Sequence, residues 1–181
     1  MANPNTVEQN LNRFDAVAKV TGAALYPGDL GKENMLHMKI LFARRPHAIV
    51  KRIDTAQAEQ VPGVAAIFTA QDVPNNEYGL IIPDQPVLIG PGSTKPWGDR
   101  ARFIGDQVAL IVADSEKIAE RARDLIVVEY EDLPILSDPR EAIKDGAIQL
   151  HPDKANNILQ HYRVRKGEEK LEAPALPSDR S

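Results

Sequence analysis

Cysteine is absent from all 181 residues. No disulfide framework, thiolate nucleophile or cysteine-ligated zinc or iron–sulfur cluster can therefore be built from this chain's own side chains. Aromatic residues are scarce at 5%, with a single tryptophan. No lysine- or arginine-rich patch is interleaved with the few aromatics, and the net charge is −4, so the electrostatic footprint of a nucleic-acid binder is missing. No apolar run approaches the ~20 residues needed to cross a bilayer. The opening stretch Met1 to Asn10 has neither a basic region nor an apolar one of the kind that directs secretion. These absences lead us to expect a soluble, cytoplasmic protein.

Hydrophobic residues at 43% and charged residues at 27% are near the averages of globular domains, and the length suits one core plus tails. Residues 1–12 are polar and aperiodic and read as a loose N-terminal arm, 13–165 as the folded domain, and 166–181, rich in charge and proline, as a C-terminal tail. Within the domain, Met35 to Ala43 alternates as a strand, and Leu36, Met38, Ile40 and Phe42 form the more apolar set, predicted to face the core. Ala48 to Asp54 and Val64 to Phe68 read as further strands, separated by a short helix with Thr55 as its N-cap. Gln107 to Ala113 is almost uniformly apolar, as in a central strand covered on both faces. Ser115 then caps a helix whose apolar stripe is Ile118, Ala119, Ala122 and Leu125, and Ile126 to Glu131 returns as a strand, with a right-handed crossover if the two strands are parallel. Asp138, followed by Pro139 and later Gly146, marks one more short helix. Between 74 and 100 lies a long stretch rich in proline and glycine without clear periodicity, a length that suggests function, partner contact or disorder.

A search for reactive chemistry returns little. Gly28-Asp-Leu-Gly-Lys-Glu33 has a phosphate-loop flavour, but Tyr26 stands where the first glycine is needed and Glu33 where a hydroxyl should follow the lysine. Gly90 to Lys95 precedes Pro96, so no helix N-terminus is available there to hold an anion. The four histidines, His37, His47, His151 and His161, lack the i, i+4 pairing of a helical zinc site. Glu129 and Glu131 share one side of a strand, where solvation or cross-strand arginines account for them better than acid–base catalysis. No serine, histidine and aspartate set has a nucleophile-elbow context. No catalytic, cofactor-binding or metal-binding residue is assigned. Trp97, on the proline-rich loop, together with Arg100 and His47, is the candidate interface set, since a large aromatic on a loop can anchor a partner.

Several segments nevertheless carry a resemblance. Arg13-Phe-Asp-Ala-Val-Ala-Lys-Val-Thr-Gly22, Arg44-Arg-Pro-His-Ala48 with Ile53-Asp-Thr55, Val61-Pro-Gly-Val64, Thr69-Ala-Gln-Asp-Val-Pro74, Phe103-Ile-Gly-Asp-Gln-Val-Ala-Leu-Ile-Val-Ala113 and Val127-Val-Glu-Tyr-Glu-Asp-Leu-Pro134 occur in this order. Together they resemble the start of the large subunit of the xanthine dehydrogenase and aldehyde oxidase family of molybdenum hydroxylases, over roughly residues 13 to 165. The resemblance implies an α+β fold, the α/β hammerhead, with a mixed sheet and packed helices. It also implies a structural part of an oxidoreductase acting on aldehydes or nitrogen heterocycles. Molybdopterin would sit on a molybdopterin-binding domain, iron–sulfur clusters on a small subunit and FAD on a flavin subunit. One departure is that the family's stretch usually opens Ser-Pro where this chain has Arg45-Pro46. The alternative reading is a noncatalytic binding or scaffold module that reuses the hammerhead fold. On either reading the purified chain alone is expected to carry no stoichiometric molybdenum or iron, which elemental analysis checks; metal retained at one equivalent would contradict it.

Overall fold

The structure, a computed structural model, describes residues 13–167. The arm expected over 1–12 and nearly all of the tail expected over 166–181 lie outside the described residues. In chain order the elements are α1 (Ala16–Val20), β1 (His37–Phe42), β2 (Ala48–Asp54), α2 (Ala56–Glu59), β3 (Val64–Phe68), β4 (Arg100–Ala101), β5 (Gln107–Ala113), α3 (Glu116–Arg123), β6 (Val127–Asp132) and α4 (Pro139–Ala142). The strands divide into two three-stranded sheets ordered β1-β5-β3 and β4-β2-β6. Every ladder is antiparallel. The expected α+β architecture is present, and the predicted strands and helices form near the expected places; α1 and the two-residue β4 were not foreseen. The β5-α3-β6 unit, however, connects two different sheets and is not a parallel crossover.

One face of the first sheet packs on α3. Leu41 opposite Ala109, and Ile67 opposite Ile111, point toward the helix, whose Ala119 and Ala122 are fully buried against them. Alanines on both partners let the helix backbone come close to the sheet, and the branched Ile111 fills the space between. The Ser115 hydroxyl accepts from the Ile118 amide at 3.3 Å, the predicted N-cap. At Gly63, with φ +90, a Cβ would stand 2.8 Å from the Ile118 Cδ1, so the Val61-Pro-Gly-Val64 turn presses on α3 where only glycine fits. A second group of buried residues, Val50, Ile89, Ala101 and Val108, joins the first through Leu41, Ile53 and Val128, which touch both.

Two local expectations are corrected. Thr55 does not cap α2; its hydroxyl donates to Glu59 at 2.5 Å, while the Asp54 carboxylate accepts from the Ala56 amide at 3.1 Å. The larger correction concerns β1. Lys39 and Leu41, not Met38 and Ile40, face α3, and Lys39 reaches Glu116 and, at 3.1 Å, Glu120 on that helix. A lysine can lie on a packed face because its hydrocarbon stem covers apolar surface while the ammonium reaches out to carboxylates. The more apolar set of β1 is therefore turned to the other side of the sheet. There Met38 stands opposite Val112, Ile40 opposite Leu110, and Phe68 from β3 opposite Leu110, with Met38 58% and Phe68 40% exposed. For the same reason β5 is fully covered on one face only.

The 74–100 stretch, the least readable part of the sequence, is an ordered loop built on one buried side chain. Asn76, 1% exposed, donates to the Leu88 carbonyl at 2.7 Å and to the Ser93 hydroxyl at 2.8 Å. Its oxygen accepts from the amides of Val87 and Leu88 at 2.8 and 3.0 Å. All four of its hydrogen-bonding positions are thus used inside the loop, and Leu88 and Ile89 are delivered into the core.

The reversed face of β1 gives a direct test by urea unfolding. Leu41→Ala is expected to lower stability by about 2–3 kcal/mol and Met38→Ala by about 1 kcal/mol or less. Equal losses would return Met38 to the core.

Candidate functional site

The end of the molecule that carries the predicted interface residues is organised by a turn. The Asp106 carboxylate accepts from the backbone amides of Arg102 at 2.5 Å and Phe103 at 3.1 Å. Glycine is favoured at position 105 within this turn because a Cβ there would collide with the Phe103 ring. The turn is tied to the strand ends by the Ala43 and Arg44 amides, which donate to the carbonyls of Asp106 at 2.8 Å and Ile104 at 3.0 Å. Burial pushes the Asp106 carboxyl up from its ordinary value, against the two amides and Arg102, which favour the charged form. The Phe-Ile-Gly-Asp stretch is thus a stereochemical device that leaves Phe103 and Ile104 at its tip, 57% and 64% exposed.

Arg102 is the wall between two clefts and lines both. Its guanidinium donates to the Leu150 carbonyl at 2.8 Å and to the Trp97 carbonyl at 3.2 Å, joining the 74–100 loop to the C-terminal segment. That segment is held in turn by Asn157, which accepts from the Leu150 amide at 2.8 Å and donates to the carbonyls of Ala142 at 2.9 Å and Ile148 at 2.8 Å. The first cleft, about 330 Å³, is bordered by Glu77, Asp84, Lys95, Trp97 and His151. Its charges of both signs partly pair, with Lys95 on Glu77. The second, about 260 Å³, is apolar apart from His47, Ser137 and Arg102, with Phe103, Ile104, Ile135 and Leu150 among its walls.

The predicted interface residues do not form one constellation. Trp97 lies on the first cleft, 44% exposed, with φ +54, an uncommon backbone conformation for a bulky residue. His47 lies on the second, 3% exposed. Arg100 is on β4, half-buried, lines neither cleft, and its Nε has no partner among the described residues. Arg102, Asp106, Asn157 and His151 were not singled out from sequence; only Asp106, inside the family-like stretch, carried a signal. Arg45, which replaces the usual serine, lies 5.4 Å from the centre of the Tyr130 ring and reaches Asp132 at 3.5 Å. Glu131 and Glu129 on β6 are matched from the neighbouring β2 by Lys51 at 2.8 Å and Arg52 at 3.4 Å, so cross-strand cations account for those carboxylates. Among the described residues no three histidine or acidic side chains converge as metal ligands, and the sequence has no cysteine to hold an iron–sulfur cluster. No helix of the described residues is long and apolar enough to cross a membrane.

His151 is half-buried, and burial first, then Arg102, holds its imidazole below the ordinary histidine range against the pull of Asp153 and Asp84. The folded state then resists a proton that the unfolded chain accepts near pH 6.5. The unfolded chain binds more protons in that window, so stability from this group is present above about pH 6.5 and falls as pH drops toward the folded value. The urea midpoint of the native chain is expected to fall more between pH 7 and 5 than that of His151→Gln. Identical slopes in the two proteins would show that His151 titrates normally.

Comparison with known proteins places this architecture. Residues 21–134 match the family model described as "Aldehyde oxidase and xanthine dehydrogenase, a/b hammerhead domain". A probable xanthine dehydrogenase subunit of Bacillus subtilis is 40% identical over 157 residues, covering 86% of this chain and 20% of that protein. The xanthine dehydrogenase molybdenum-binding subunit of Escherichia coli O157:H7 is 33% identical, covering 86% of this chain and 21% of that one. The solved aldehyde oxidoreductase of Desulfovibrio gigas superposes with a TM-score of 0.67 at 34% identity, over 78% of this chain and 16% of that one. The chain thus spans about a fifth of the length of these relatives. With the model matching most of the folded region and the same architecture in a solved relative, the chain belongs to the aldehyde oxidase and xanthine dehydrogenase α/β hammerhead domain family.

Proposed function

We propose that residues 13–165 are the hammerhead scaffold of a cytoplasmic molybdopterin-dependent hydroxylase large subunit, acting in the oxidation of aldehydes or nitrogen heterocycles. Its contribution is packing: it offers surfaces to the molybdopterin-binding polypeptide, with iron–sulfur and FAD subunits completing the electron path. The names of the relatives, a molybdenum-binding subunit among them, support the reaction class. The observation that carries the scaffold role is the outer face of the β1-β5-β3 sheet, which the described residues leave partly uncovered. A strand whose more apolar side faces away from its own helix leaves Met38 and Phe68 exposed and Ile40 and Leu110 only partly covered, an apolar face for another surface to complete. Each buried CH₂ of such a face stabilises an assembly by about 0.8 kcal/mol.

Tagged chain recovered from its native cell is expected to bring down a molybdopterin-binding polypeptide, together with molybdenum detectable by elemental analysis. Met38→Asp, at an exposed strand position where the isolated fold should lose only about 1–2 kcal/mol, is expected to abolish that recovery from protein that still folds. Recovery of the chain alone, or full recovery with the variant, would refute the scaffold role.

A further inference from the structure

Arg102 fastens the C-terminal segment to the 74–100 loop with two hydrogen bonds, and both end on neutral oxygens. Nε donates to the Leu150 carbonyl at 2.8 Å and Nη2 to the Trp97 carbonyl at 3.2 Å. The second bond holds an unfavourable turn. The Gly98 amide donates to the Lys95 carbonyl at 3.0 Å, so Lys95-Pro-Trp-Gly98 is a turn with proline second and Trp97 third, where a φ of +54 favours glycine. A bulky residue stays in such a conformation only while its surroundings hold it there. Arg102 supplies that restraint at the Trp97 carbonyl. His151 follows Leu150 in the chain and lines the first cleft together with Arg102 and Trp97. Arg102 and Lys95 repel a positive charge on its ring, Asp153 and Asp84 attract one, and Asp106 lies within its field. The other two charges on the cleft, Glu77 and Lys154, are paired with Lys95 and Asp153. Around Arg102, the carboxylates of Asp106, Asp99 and Asp153 support the cation and Arg100 opposes it.

We propose that Arg102 is a clasp released by acid: a proton taken up by His151 sets a second cation beside the guanidinium, the Leu150 and Trp97 carbonyls are let go, and the C-terminal segment parts from the 74–100 loop. The two buried cores contain none of Arg102, Trp97, Leu150 and His151, so both sheets stay folded when the clasp opens. In the closed form burial and Arg102 make the ring resist a proton, whereas in the released form it is solvated and titrates near 6.5. The released form therefore binds more protons below that value, and falling pH favours it by up to about tenfold per pH unit until the closed form is itself protonated. Asp106 is not the trigger. Its carboxyl, raised by burial, takes a proton more readily in the closed form, so its titration opposes release. Because Arg102 is the wall between the two clefts, release joins them. The clasp is independent of the scaffold reading.

Trp97 is the only tryptophan of the chain, so its fluorescence reports the clasp directly. Between pH 7 and 5 the emission maximum of the full chain is expected to move to the red as the indole is wetted. Over the same range, amide hydrogen exchange corrected for its intrinsic pH dependence is expected to show about three- to tenfold less protection at Leu150 and Lys154. These amides donate to Asn157 Oδ1 and to the His151 carbonyl within the C-terminal segment. The amides of β5 should keep their protection. His151→Gln, which carries no titrating ring, should leave both signals flat, and Arg102→Met should show the red emission already at pH 7. An acid response of equal size in His151→Gln, no response in the native chain, an equal loss of protection along β5, or a folded Arg102→Met with the native emission would each overturn the clasp. Should Arg102→Met fail to fold, the native chain and His151→Gln decide between them.

Discussion

The close approach of α3 to the β1-β5-β3 sheet is the constraint on which the rest of the molecule depends. Ala109 and Ala113 on the strand meet Ala119 and Ala122 on the helix, all fully buried, so the distance between the two elements is set by methyl groups. At that separation Ile111 fills the remaining space, Gly63 is forced at the contact with Ile118, and Lys39 is near enough to reach Glu116 and Glu120. A larger residue at any of the four alanines would drive the layers apart and forfeit dispersion contacts along the whole face, since interiors of this density have no slack. The lysine's partly exposed ion pairs add little energy. Leu41 packs against the buried alanines on the same side, and with that side inward the strand's methionine and isoleucine turn outward.

Much of this was readable in the residues, for identifiable reasons. Ser115 and Asp138 act as N-caps because a hydroxyl or carboxylate one position before a helix has a local amide to accept from, at 3.3 and 2.8 Å here. Strand positions followed from apolar runs bounded by turn residues. The inward face of β1 was misread because alternation weighs only apolarity, and a snorkelling lysine inverts the rule. The 74–100 loop was opaque because its organiser, Asn76, bonds to Val87, Leu88 and Ser93, partners 11 to 17 residues away. No short window contains that information. Arg102 was missed for a similar reason, its carbonyl partner Leu150 being 48 residues on.

The exposed apolar surface is too extensive to be incidental. Besides the partly uncovered sheet face, α1 and the chain on either side of it bury nothing large among the described residues: Phe14 is 99% exposed, Val20 85% and Leu25 73%. Isolated exposed hydrophobes are ordinary, but a sheet face, a helix and the Phe103-Ile104 tip together exceed what a free-standing domain usually presents. Such surfaces accord with the proposed scaffold role, in which these layers complete their burial against other polypeptide.

The segments that reveal the family contain almost no reactive chemistry, and the structure explains how they can still be diagnostic. Gly22, with φ +75, closes the turn after α1, and Gly63, with φ +90, allows the contact with α3. Asp72 accepts from the Thr69 amide and hydroxyl at 2.7 and 3.0 Å, and Asp106 performs the same service for Arg102 and Phe103. His47 fastens the start of β2 to Pro134. Each is a position where one or two residue types satisfy a backbone demand that others leave unmet, with penalties of about 1–3 kcal/mol apiece. A fold can therefore fix a sequence signature through turn stereochemistry alone, and recognition of a family from such residues identifies a shape first.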